Sequence, residues 1–158
     1  MSWTIGRSVV TALVVGAVLC SQVAATAAPK PPSVDQLRKE FLADSAKLDV
    51  AVVTWTNKIE GLSDNTTWAE LAKVDQPFAN ALTKFDGELQ RYGATGRVEA
   101  GITHLVGADR SYIADLIAPT GQKLFNSGKW ETAMTTRGSA LHNALNALRG
   151  ALGLSTPT

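Results

Sequence analysis

The 158-residue chain is short of most residues on which protein chemistry relies: one cysteine, two histidines and two methionines. A single cysteine excludes an intrachain disulfide and the Cys-x-x-Cys-His haem attachment motif. Neither His104 nor His142 follows a glutamate by three positions, so the Glu-x-x-His pairs of carboxylate-bridged di-iron bundles are absent. There is no Gly-x-Ser-x-Gly elbow for a nucleophilic serine, and no Ser, His and Asp spacing stands out. An excess of one charge is lacking too, with 15 Lys plus Arg against 14 Asp plus Glu. That balance excludes the basic face on which nucleic-acid or anionic-membrane binding depends. The expectation is a non-enzymatic protein with no catalytic residue, no metal and no cofactor.

What the chain does have is concentrated at its start. Arg7 precedes an apolar run, Ser8 to Cys20, and the small residues Val23 to Ala28 follow. These are the charged, hydrophobic and cleavage-site regions of a secretory signal peptide. Ala25-Thr26-Ala27 supplies the cleavage signal, so residues 1–27 are expected to be removed and the mature chain to begin at Ala28. The apolar run of about 13 residues is shorter than the roughly 20 that span a bilayer, so no membrane span is expected after cleavage. Cys20 closes the run where a lipid-acceptor cysteine would stand, but Leu19 replaces the small residue that normally precedes one. Lipid attachment at Cys20 is therefore the lesser alternative to a leader cysteine lost on cleavage. The destination is secreted or cell envelope, and with no cysteine left the fold must hold by packing alone.

Removing 27 residues from 158 leaves 131, enough for one domain with a core. Losing Arg7 brings Lys plus Arg to 14, and the mature charge to about zero. Residues 28–32 (APKPP) read as a Pro-rich extended tether, and residues 155–158 (STPT) as a flexible tail.

Residues 33–154 carry apolar stripes with a period of 3.6. In the first, Val34, Leu37, Phe41, Leu48, Val52, Trp55, Ile59 and Leu62 recur, opened by a Ser33–Gln36 capping box and stopped at Gly61. A second begins at a Thr67–Glu70 box and runs through Trp68, Leu71, Phe78, Leu82, Phe85, Leu89 and Tyr92, broken only at Asp75. Pro77 lies inside it, which predicts a kink or a restart near Asp75. Val98, Ile102, Leu105, Tyr112 and Leu116 mark a third helix, ended by Pro119, whose Gly101 and Gly107 would admit a close neighbour. Trp130, Met134, Leu141, Leu145, Leu148 and Leu152 mark a fourth. It starts near Thr120, with Asn126-Ser127-Gly128 interrupting its first turns and Ser127 capping the longer piece. The fold class is all-α, an antiparallel up-down-up-down four-helix bundle after an N-terminal signal peptide.

Candidate ligand residues are few. Folding helices three and four about Pro119 places His104 and His142 about eight residues out of register, roughly 12 Å along the axis, too far to share one metal ion. His104 and Tyr112 lie eight residues apart near one helical face. A haem or metal carrier using His104, Tyr112 or His142 at a helix seam is thus the alternative functional reading. The acidic pairs Glu40/Asp44 and Asp86/Glu88 read as solvated helix faces, and Trp55, Trp68 and Trp130 as core.

The alanine-rich leader, the tryptophan late in the first helix, A-D-R-S-Y-I-A-D-L (108–116) and A-L-N-A-L-R-G-A-L-G-L (144–154) resemble uncharacterised secreted proteins and lipoproteins of actinobacteria built as helical bundles. The resemblance covers residues 35–154 and implies an exported helical body, with no activity or catalytic residue attached. The leading expectation is an exported bundle that binds a protein partner, itself exported, or an apolar small molecule.

Overall fold

A computed structural model describes residues 30–63 and 65–155. The expected leader and Cys20 lie outside the described residues. Among these, five helices occur and no strand: α1 (Val34–Glu60), α2 (Trp68–Arg91), α3 (Gly96–Ile117), α4 (Pro119–Asn126) and α5 (Trp130–Ala151). None of the described helices is long and apolar enough to cross a membrane.

Local chemistry explains most boundaries. The Ser33 hydroxyl accepts from the Gln36 N–H at 3.2 Å, capping α1, but the Gln36 side chain turns to Glu40 at 3.0 Å instead of closing a box. At α2 the Thr67–Glu70 box is complete: the Thr67 N–H donates to Glu70 Oε2 at 2.8 Å and the Glu70 N–H to Thr67 Oγ1 at 3.4 Å. Two orphan donors are thereby satisfied at once. Pro119 both ends α3 and opens α4, since its missing N–H costs nothing in a first turn.

Other sequence expectations change as well. No restart occurs at Asp75, because α2 is continuous through Pro77. The Asp75 side chain points inward and is fully buried rather than serving as a cap. The interruption at 126–128 is present, but Ser127 ends α4, with its hydroxyl donating to Leu124 O at 3.0 Å. Lys129 stands at the start of α5 without a side-chain cap, after Gly128 turns the chain at φ 67°.

The backbone of α1 packs against α2 alone, α2 against α3, and α3 against α5, while α4 touches α3, α5 and α2. Gly101 serves the close approach expected of it: a methyl group there would lie 3.1 Å from Leu148 Cδ1 and 3.2 Å from its Cα. Gly107 has open space around it and serves no such contact.

The core has two parts. One joins the start of α1, the end of α2, the start of α3 and the end of α5 through Leu37, Phe41, Phe85, Leu89, Ile102, Leu105, Leu148 and Leu152. Arg38 locks this end, its Nε and Nη2 both donating to Leu152 O at 3.0 and 2.9 Å. The other part collects Phe78, Ala79, Leu82, Tyr112, Leu116 and Met134, flanked by Trp55 and Trp130.

Candidate functional site

The second core part opens at its end into a cavity of about 470 Å³ between the end of α1, the start of α2, α4 and the start of α5. Its lining comes from turns as much as from helices. After Gly61 the chain folds back through a turn in which the Ser63 N–H donates to Thr66 Oγ1 at 3.1 Å. On the facing side, Gly121 allows α4 to tuck under α3. A Cβ there would fall 2.2 Å from Asp115 O and 2.8 Å from Trp68 Cη2, distances no side chain tolerates. Trp68 then packs at 5.9 Å from Phe125. Ile59, Leu62, Leu71, Phe125 and Trp130 form the apolar wall, with Ser63, Thr66 and the exposed Glu131 supplying the polar groups. The volume falls in the range of small-molecule pockets, and the lining mixes polar and apolar surface.

Behind the cavity the aromatic core is tied to buried carboxylates. Trp55 stacks on Phe78 at 4.7 Å, and Phe78 meets the edge of Tyr112 at 6.2 Å. Trp55 Nε1 donates to Asp75 Oδ1 at 2.7 Å, while Asp75 Oδ2 has no partner. Burial pushes the Asp75 carboxyl up to about 6, against the opposing pull of the Trp55 hydrogen bond. Asp115 is buried with Arg137 Nε at 3.1 Å, and its backbone oxygen accepts from Trp130 Nε1 at 3.1 Å.

A further pair lies between α2 and α3. Asp86 and Asp109 are 7% and 1% exposed, and Asp86 Oδ1 and both Asp109 carboxyl oxygens have no hydrogen-bond partner. The expectation of a solvated Asp86/Glu88 face is corrected here. Asp86 is buried, while Glu88 stays toward solvent and takes Arg91 at 2.8 Å. Of the other acidic pair, Asp44 accepts from the Tyr92 hydroxyl at 2.9 Å and from Lys47 at 2.7 Å. Asp75 and Asp109 occupy stripe positions, between Leu71 and Phe78 and between Leu105 and Tyr112. A polar residue at a core position of a helical period was the available signal, and it reads equally as a gap in the stripe.

The three candidate ligand residues are placed apart. His104 is exposed and lines a shallow groove between α3 and α5 with Gly107, Ser111 and Arg137. His142 is exposed on α5, with Nε2 2.9 Å from Asn146 Nδ2. Tyr112 is buried in the aromatic core, and burial raises its phenol to about 12. Among the described residues no three His, Cys, Asp or Glu side chains gather as a metal site. The comparisons with known proteins add no assignment: no family model, curated protein or solved structure matches the chain.

Proposed function

We propose that this protein is an exported, non-enzymatic binding protein that takes up a small apolar molecule in the cavity at the aromatic end of its helices. In this proposal α1, α2, α3 and the interrupted pair α4–α5 form the four arms of an antiparallel up-down-up-down bundle. The helices that pack as neighbours, α1 on α2, α2 on α3 and α3 on α5, support that topology. Export rests on the leader-like residues 1–27. The observation that carries the ligand is the cavity wall of Ile59, Leu62, Leu71, Phe125 and Trp130. An apolar molecule there gains the hydrophobic transfer energy of about 25 cal/mol per Å² that the open wall forgoes.

Titration with Nile red, a neutral apolar dye, tests the site while Trp130 fluorescence is followed. Leu62→Trp, which fills the cavity, is expected to weaken binding by about tenfold or more. Val50→Lys, on the outer face of α1, is expected to leave it unchanged. Equal binding to wild type and Leu62→Trp, or loss on Val50→Lys, would place the dye elsewhere and overturn the assignment. Export is tested separately by intact mass of the native protein, expected to begin at Ala28. A cytosolic protein that retains Met1 would end that part of the proposal.

A further inference from the structure

A second groove, of about 390 Å³, lies between α2 and α3 and shares no lining residue with the aromatic cavity. Its walls follow from helical spacing. Thr83, Gly87 and Gln90 recur every three or four residues along α2, as Arg110, Ile113, Ala114 and Ile117 do along α3. Gly87 leaves the α2 wall bare, since a Cβ there would meet nothing within 4 Å. Ile113, Ala114 and Ile117 are only half-buried, so the α3 wall keeps apolar surface open to the groove. Two opposite charges also line it and leave each other unpaired. Asp86 does so although it is only 7% exposed, and its Oδ1 has no hydrogen-bond partner. Arg110 is exposed, and it forms no ion pair with Asp86 or with any other described carboxylate. The neighbouring charges of α2 are turned elsewhere: Lys84 and Glu88 line the groove toward α1, and Glu88 takes Arg91.

We propose that this groove binds a free α-amino acid with an apolar side chain, its ammonium on Asp86, its carboxylate on Arg110 and its side chain over Ile113 and Ile117. A buried acceptor calls for a donor from protein, water or ligand, and an ammonium group supplies both N–H donors and the opposite charge. The guanidinium fork of Arg110 takes a carboxylate through two parallel N–H bonds. A short aliphatic side chain laid on Ile113 and Ile117 leaves water, as does the surface beneath it. A purely apolar ligand would leave both charges unanswered. A metal ion would find too few ligands, since no three metal-binding side chains gather among the described residues. The groove therefore differs in chemistry from the aromatic cavity, and the two sites stand or fall separately.

Isothermal titration calorimetry of the purified native protein with L-leucine tests the assignment. Saturable binding is expected. Isocaproate, which lacks the ammonium, and isoamylamine, which lacks the carboxylate, are each expected to bind at least about tenfold more weakly. Arg110→Gln, a change at an exposed position, is expected to weaken leucine by about tenfold or more and to leave isoamylamine unaffected. Asp86→Asn is expected to weaken leucine and isoamylamine alike. Leu62→Trp, in the aromatic cavity, is expected to alter neither. Absence of saturable leucine binding up to about 10 mM would overturn the proposal. So would isocaproate or isoamylamine binding as tightly as leucine, or an Arg110→Gln protein with wild-type affinity. Loss of leucine binding in Leu62→Trp would move the ligand to the other cavity and overturn it as well. Should Asp86→Asn fail to fold, Arg110→Gln and the two analogues decide the outcome.

Discussion

The two ends of the molecule solve the same packing problem with different materials. At one end Leu37, Phe41, Leu89, Leu105, Leu148 and Leu152 close on one another, and Gly101 lets α3 and α5 meet at van der Waals distance. At the other, Trp55, Phe78, Tyr112 and Trp130 surround buried carboxylates, α4 interrupts the helical arm, and a cavity of about 470 Å³ remains. Apolar side chains interdigitate without directional demands. Indole N–H groups and carboxylates must find partners, so the aromatic end is specified by individual hydrogen bonds such as Trp55 to Asp75. A closed aliphatic end fills its own space, and an end assembled from turns and polar anchors leaves a cavity open.

This contrast can be broken by substitution. Phe41→Ala removes a fully buried ring from the aliphatic end and is expected to cost about 3–5 kcal/mol in urea unfolding. A cost below about 1 kcal/mol would mean that this end is not the stabilising one. Trp55→Phe keeps the stack on Phe78 but strips Asp75 of its donor, with an expected loss of about 1–3 kcal/mol. The change also carries a pH signature. Asp75 is raised to about 6 by burial, with the Trp55 bond opposing. Its stabilising effect is thus complete below about pH 4 and is lost as pH rises through 6. Without the indole the carboxyl should rise further, moving that loss to higher pH in a denaturation series. Asp44 and Glu70 titrate in the opposite sense. Although burial opposes it, the hydrogen bonds from Lys47 and Tyr92 hold Asp44 below the usual carboxylate range, and the Thr67 backbone N–H and hydroxyl lower Glu70. These two contribute stability that disappears as pH falls below 4, so the stability maximum is expected near pH 5, not at neutrality.

The smallest effect belongs to the outer face of α1, where Val50 is 67% and Val53 60% exposed. Val50→Lys and Val53→Lys are each expected to change stability by no more than about 0.5 kcal/mol. Because α1 has its backbone against α2 alone, its central amides are also expected to exchange hydrogen faster than those of α3, which packs on three elements. Stronger protection in α1 than in α3 would show that the outer valines are covered in solution.

The helices were legible where periodicity, caps and breakers agreed. Thr67 with Glu70 starts α2, Pro119 divides α3 from α4, and Gly128 separates α4 from α5. Pro77 brings no restart, since a helix can lose one backbone hydrogen bond without ending. The aspartates misled because a carboxylate at a stripe position is indistinguishable, along one helix, from a gap in the stripe. Which helix faces it decides whether it is solvated, bonded to an indole, or buried without a partner.

The order of residues by itself determined that the described body is helical and where its main breaks fall, because those depend on contacts within a few residues. Only the tertiary structure decided that Arg38 reaches Leu152, that Trp55 reaches Asp75 and that Gly121 makes room for Trp68. Each of these unites residues on different helices, and the geometry of such meetings is set by how whole helices pack, which no local pattern encodes.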